Sequence, residues 1–312
     1  MSDRLPISEI KKMLSSCDDP AVIESLAGDE RKGVQKLIES WKRQQKKKKA
    51  LQAKTKKLYA PIQAMQQKGF KFVGGIDEAG RGPLAGPVVA ACVILSDDPL
   101  LNVDDSKKLS EKRREELYDQ VIANCISFGL GFVPPAEIDE LNIYRAARKA
   151  MTLAFEACRP QKPDYCFVDA MHIPDLEIPQ QSLIHGDAIC AAISAASILA
   201  KVTRDRIMVE AAEAYPHYGF DSNKGYGARH HLDALETHGP CPLHRLTFAP
   251  VKDYVLPSVS FFETMLKRST SLVALRDVGE RIKGASGDLT DDELETLRES
   301  YRHRREEIMR KE

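Results

Sequence analysis

Three short strings, FKFVGGID from Phe70, VVAACVIL from Val88 and ISFGLGFV from Ile126, are rich in β-branched and aromatic residues and stand apart between glycines and prolines. That is the pattern of strands. Around and after them the apolar period lengthens to that of helices. Ser110 can cap a helix running EKRREELYDQVIANC, and a longer one is expected over about 136–157, with Ile138, Leu141, Tyr144, Met151 and Phe155 on its apolar face. A strand YCFVDA, a short apolar segment SLIHG and an Ala-rich helix over about 188–214 follow. Three strands and then alternating helix and strand predict an α/β sandwich with a mixed sheet, helices covering its faces.

Two helical regions flank this block. Residues 1–69 repeat apolar residues at helical spacing (Ile7, Ile10, Met13, Leu14; then Val34, Leu37, Ile38, Trp41) and read as an N-terminal extension, residues 70–256 as the α/β domain, and 257–312 as a helical C-terminal extension. In the last of these, Thr290 and Glu293 form a capping box ahead of Leu294, Leu297 and Tyr301, after a break at GASGDL. Phe261 and Phe262 read either as a docking point for a partner or as a cover for the α/β domain's own surface.

The pI near 7.1 hides an asymmetry. Residues 1–69 hold 16 Lys+Arg against 8 Asp+Glu, residues 70–256 hold 19 against 26, and residues 257–312 hold 11 against 12. Lys42 to Lys57 contains nine basic residues and no acidic one, which suits phosphate contacts made by counterion release, or equally a solvated helix face or tether. The longest apolar run, Val88 to Leu95, is eight residues, against about 20 for a membrane span. The mixed charges of MSDRLPISEIKKML do not make a secretory signal, so a cytoplasmic protein is expected. Seven scattered cysteines, without a C-x-x-C pair, read as reduced, packed thiols.

The chemistry concentrates in GGIDEAGRGPLAGPVV. A strand ends in Asp77 and Glu78 and gives way to a loop with Gly80, Gly82 and Gly86, whose exposed N–H groups and Arg81 suit a phosphate or hydroxyl. Neighbouring side chains on a regular strand face opposite ways, so the two acids converge only where the strand bends or ends. Asp169 closes YCFVDA at a strand's carboxyl end, where open α/β sheets bind ligands, and Asp187 follows His185-Gly186 at a helix start. Four oxygen donors without His/Cys clusters suit hard divalent cations such as Mg2+ or Mn2+. Taken singly, Asp187 reads as a helix cap, Asp169 as a strand-end turn former and Asp77-Glu78 as an exposed acidic pair.

At these residues the sequence resembles the ribonuclease HII family of type 2 ribonucleases H. The likeness runs over about 70–255 through GIDEAGRGPLAGPVVAACVIL, DDSKKLSEKRREELYD, IDELNIYRA, FVDAMHIP, HGDAICAAISAASILAKVTRDRIM, YPHYGFDSNKGYGARHHLDAL and GPCPLHRLTFAPV. It implies a ribonuclease H-like five-stranded mixed sheet and cutting of RNA in RNA/DNA hybrids and at ribonucleotides embedded in duplex DNA. Two Mg2+ or Mn2+ ions would drive hydrolysis to 5′-phosphate and 3′-hydroxyl ends. The family's metal carboxylates match Asp77, Glu78, Asp169 and Asp187. Its 2′-hydroxyl-reading loop matches Gly80, Arg81 and Gly82, and its junction tyrosine matches Tyr226. Ser106, Lys107, Lys201 and Arg204 look like phosphate contacts. Ala170 stands where many relatives have Gly, and His185 where Lys is common.

The implied partners are nucleic acids, the chain acting as a monomer with no obligate protein partner and no membrane. The ribonuclease HIII group is the enzymatic rival, disfavoured by KGYG and the helical arm. A non-catalytic nucleic-acid binder would use the basic arm alone. A serine or cysteine hydrolase lacks its G-x-S-x-G elbow or an activated thiol. His230, His231 and His244 read as surface or hydrogen-bonded loop histidines in preference to metal ligands.

Overall fold

The middle of the chain builds one mixed sheet from β1 (Val73–Ala79), β2 (Val88–Leu95), β3 (Cys125–Val133), β4 (Tyr165–Asp169) and β5 (Gln180–Leu183), in the order β3-β2-β1-β4-β5. The computed structural model describes residues 5–16, 19–100, 109–254 and 258–310. β2 lies antiparallel to both β1 and β3, while β4 runs parallel to β1 and β5 parallel to β4. Every residue of β2 is buried, as expected of an inner strand covered on both faces.

The helices are α1 (Ile7–Ser16), α2 (Pro20–Leu26), α3 (Lys32–Gln67), α4 (Glu111–Asn124), α5 (Pro135–Leu141), α6 (Ile143–Glu156), α7 (Ala191–Ala214), α8 (Phe220–Asn223), α9 (Arg229–His238), α10 (Val259–Arg268), α11 (Leu272–Gly284) and α12 (Asp291–Met309). One face of the sheet packs Val73, Ala91, Val93, Tyr165 and Phe167 against α4, α7 and the last turns of α3. The other packs Ile76, Ala90, Cys92, Cys166 and Val168 against α5 and α6. At Gly75 a Cβ would stand 2.2 Å from the carbonyl carbon of Ala192, so a glycine there lets the first turn of α7 rest directly on β1.

The expected helix over 136–157 is two helices. Asn142, at φ 72°, ends α5 and starts α6, its Oδ1 accepting from the N–H groups of Tyr144 and Arg145. An N-cap in mid-pattern changes the phase, which leaves Tyr144 exposed instead of on the apolar face. Ser110 caps α4 and the Thr290–Glu293 capping box starts α12.

α3 runs unbroken through the lysine stretch. Its first turns join α1 and α2 in a small core of Ile10, Leu14, Ile23, Leu26, Val34, Ile38 and Trp41, with Ile7 left exposed. Its last turns bring Leu58, Tyr59, Ile62 and Met65 into the core against the sheet. α10–α12 share a core of their own, which holds both Phe261 and Phe262 and touches the catalytic block through Leu246. Among the described residues no helix is long and apolar enough to cross a membrane. Cys92, Cys158, Cys166, Cys190 and Cys241 are free and buried.

Candidate active site

β1 and β4 deliver two acids to one end of the sheet. Their last paired level is Ile76–Val168, so Asp77 and Asp169 follow one residue later on adjacent parallel strands. Strand alternation sets both on the α7 side, with Gly75 and Phe167, whereas Glu78 starts on the opposite side at the strand's end. Asp77 is 5% exposed; its Oδ1 accepts from the N–H of Glu78 at 2.7 Å, and Ser197 of α7 bonds to it as well. Gly186 N–H donates to Asp169 Oδ1 at 2.7 Å, which ties the turn Gly186–Ala188, carrying the 6%-exposed Asp187, to the end of β4. α7 begins only at Ala191, with Cys190 in the N-cap position, so Asp187 is not the cap of that helix.

Electrostatically these acids oppose one another. Burial, then the charges of Glu78 and Asp169, push the Asp77 carboxyl well above the usual carboxylate range. Burial also raises Glu78, an effect tempered by the Arg81 guanidinium. Glu78 Oε2 is buried without a hydrogen-bond partner. Among the described residues no three His, Cys, Asp or Glu side chains are drawn together as a ready-made ligand set. The fit to a cation rests instead on crowded carboxylates and on that orphaned oxygen, both of which a divalent ion would relieve.

The glycine loop stands beside the acids. Gly80 has φ +94°, and a Cβ there would fall 2.2 Å from Arg204 Nε, so both conformation and space require glycine. Arg81 is exposed, its Nη1 3.2 Å from Glu78 Oε1. The Tyr226 ring, 46% exposed, lies next to Gly82, within 3.8 Å of where a Cβ would be. Lys201 Nζ bonds to Asp205 at 2.7 Å and sits 5.7 Å from the centre of that ring. Glu78, Arg81, Gly82, Tyr226 and Lys201 thus form one continuous rim.

Arg204 departs from the surface role expected of it. It is fully buried and donates to the carbonyls of Pro87 (3.0 Å), Lys224 (2.9 Å) and Ala85 (2.9 Å), so it braces the loop from behind instead of presenting its guanidinium to a phosphate at the surface. The sequence reading missed its counterpart, Arg245. Also fully buried, Arg245 donates to the carbonyls of Gly80, Arg81 and Gly86. Its position in LHRLTF carries no signal that this arginine is inside, and neither does anything near Ser197. Ser106 and Lys107 lie outside the described residues. His231 and His244 are buried and hydrogen-bonded to each other, while His230 is exposed.

A mixed sheet flanked by helices, with acids at the ends of its two central parallel strands, defines a ribonuclease H-like protein. The family model for ribonuclease HII matches residues 74–251, and that for the ribonuclease HII N-terminal domain matches residues 6–60; the chain belongs to the ribonuclease HII family. It is 47% identical to the ribonuclease HII of Bacillus velezensis over 253 residues, covering 80% of this chain and 98% of that one. To that of Bacillus subtilis it is 46% identical over 253 residues, covering 80% and 98%. Among solved structures it resembles the ribonuclease H2 of Pyrococcus horikoshii, with TM-score 0.51 and 28% identity over 59% of this chain and 97% of that one. The protein is therefore a type 2 ribonuclease H, a hydrolase that cuts the RNA of RNA/DNA hybrids.

Proposed function

We propose that this enzyme also cuts duplex DNA on the 5′ side of an embedded ribonucleotide, with Asp77, Glu78, Asp169 and Asp187 as the carboxylates that bind Mg2+ or Mn2+. The observation that carries the reading is the placing of Asp77, Glu78 and Asp169 at one sheet end, where burial first, and then repulsion from neighbouring carboxylates, raises the Asp77 and Glu78 carboxyls. Two bound divalent ions would supply an activated water and neutralise charge on the departing 3′-oxygen. Water adds to phosphorus and the P–O3′ bond breaks, leaving a 5′-phosphate and a 3′-hydroxyl.

The chain's own residues do the rest. Gly80 and Gly82 bring backbone against the sugar, where the 2′-hydroxyl distinguishes RNA from DNA. Arg81 and Lys201 face phosphate, and Tyr226 stacks at the RNA-to-DNA junction. Arg204 and Arg245 hold the loop in shape and bring two buried positive charges behind it, a favourable setting for a polyanion. The exposed bases of Lys42 to Lys57, on a helix anchored at both ends, suit the flanking duplex backbone. Protein stripped of metal with a chelator should bind a ribonucleotide-containing duplex without cutting it and should cut on addition of Mn2+ or Mg2+; cutting in the chelator would contradict the assignment.

A further inference from the structure

Beside the junction tyrosine lie two histidines that the acidic cluster does not use. His231, on α9, is fully buried, and His244 is 2% exposed. Their Nε2 atoms are 2.9 Å apart, so one donates and the other accepts. The surroundings decide which. The N–H of Cys241 donates to His244 Nδ1 at 2.9 Å, closer than the Cys241 carbonyl at 3.3 Å, which makes that nitrogen an acceptor and puts the His244 proton on Nε2. His231 must then accept at Nε2 and carry its own proton on Nδ1, where it faces the Tyr226 carbonyl at 2.8 Å. The chain has a single direction: Cys241 N–H to His244, His244 to His231, His231 to Tyr226.

Two further contacts bear on the same short loop. Tyr226 O also accepts from the N–H of Ala228 at 2.8 Å, and Gly225 O accepts from Leu84 N–H at 2.8 Å. Tyr218 stands edge-on to both imidazoles, with centroids at 6.1 and 4.8 Å, and Phe220 packs edge-on to His231 at 5.3 Å. These rings hold the imidazoles in place but offer no proton to the Tyr226 carbonyl.

We propose that His231 and His244 are positioning residues for Tyr226: a directed hydrogen-bond chain of two neutral imidazoles fixes the Gly225–Ala228 loop and, with it, the Tyr226 ring against Gly82. The proposal rests on the junction role given to Tyr226 above. It separates selectivity for an isolated ribonucleotide, which needs the ring in place, from cutting of a long hybrid, where several RNA sugars meet the same loop.

The test compares kcat and KM on a DNA duplex with one ribonucleotide and on a continuous RNA/DNA hybrid. His231→Phe keeps the aromatic packing and removes both hydrogen bonds. It should lower kcat/KM on the single-ribonucleotide duplex about fivefold more than on the hybrid, mainly through KM. His231→Asn keeps a donor at the Nδ1 position and should recover most of that loss. Equal losses on both substrates, or identical behaviour of the two variants, would overturn the proposal. Tyr226→Ala separates the two readings. If it leaves the substrate ratio unchanged, the junction role fails and the positioning role with it. If it shifts the ratio and His231→Phe does not, the positioning role alone fails. A second measurement needs no variant: 15N NMR of the wild-type protein should show His231 protonated at Nδ1 and His244 at Nε2, and any other pair of tautomers would overturn the chain.

Discussion

Arg81 Nη1 lies 3.2 Å from Glu78 Oε1, so the exposed arginine of the glycine loop is paired with an acid assigned to the metal site. On the proposed assignment that guanidinium would compete with a cation for Glu78 in the substrate-free protein, and phosphate of a bound duplex would draw it away. Arg81→Ala should therefore tighten Mn2+ binding to the free enzyme, measured by calorimetry, while raising KM for a single-ribonucleotide duplex roughly tenfold. Weaker Mn2+ binding in the variant would show that Arg81 supports the site rather than competing for it.

Asp77 pays for its position in the folded state. Buried beside Glu78 and Asp169, it is held well above the usual carboxylate range. Asp77→Asn keeps an oxygen to accept from Glu78 N–H but removes one repelling charge. Turnover should fall by at least about a hundredfold, while the chelated protein unfolds at a higher denaturant midpoint than wild type. A destabilised variant would mean that the carboxylates do not strain one another.

The buried histidines and the acids respond to pH with opposite signs. Burial and His231 hold His244 down to about 4, against about 6.5 in an unfolded chain. The stability linked to neutral His244 is complete above about pH 6.5 and drains away as pH falls toward 4, by up to ~3 kcal/mol. Asp77 and Glu78, raised in the fold, cost stability when ionised, and acid relieves that cost. In chelated protein the loss of stability between pH 6.5 and 4 should be shallower in His244→Gln than in wild type and steeper in Asp77→Asn. Parallel slopes in all three would refute the assignment.

Much of this is legible in the sequence. The β-branched strings marked β1 to β4, and GIDEAGRG together with FVDA and HGDA located the acids, because strand ends and glycines are written locally. What stayed hidden depends on contacts distant in sequence. Arg204 of AKVTRD is expected to contact phosphate, and only the carbonyls of Ala85, Pro87 and Lys224, about 20 to 120 residues away, draw it inside. The break at Asn142 escaped for a different reason: apolar residues continue across it, and a single cap can shift phase without changing composition.

Ala170, directly after Asp169, has φ 47°, a left-handed conformation that costs an alanine about 1 kcal/mol. It sits at the turn that aims Asp169. Ala170→Gly relieves the strain but frees the unfolded chain, so the net gain should be ~0.5 kcal/mol in denaturant unfolding, with activity kept. A loss of stability would show that neighbouring contacts over-determine the turn.

The central claim is that the carboxylates at the ends of β1 and β4, with Asp187, license cutting beside a ribonucleotide. Mapping the products from a DNA duplex containing one ribonucleotide, with wild type and Asp77→Asn at saturating Mg2+, tests it most directly. The account predicts one cut on the 5′ side of the ribonucleotide, a 3′-hydroxyl on the upstream fragment, and no product from Asp77→Asn although it still binds the duplex. Undiminished cutting by Asp77→Asn, or an intact duplex with the wild-type enzyme, would contradict it.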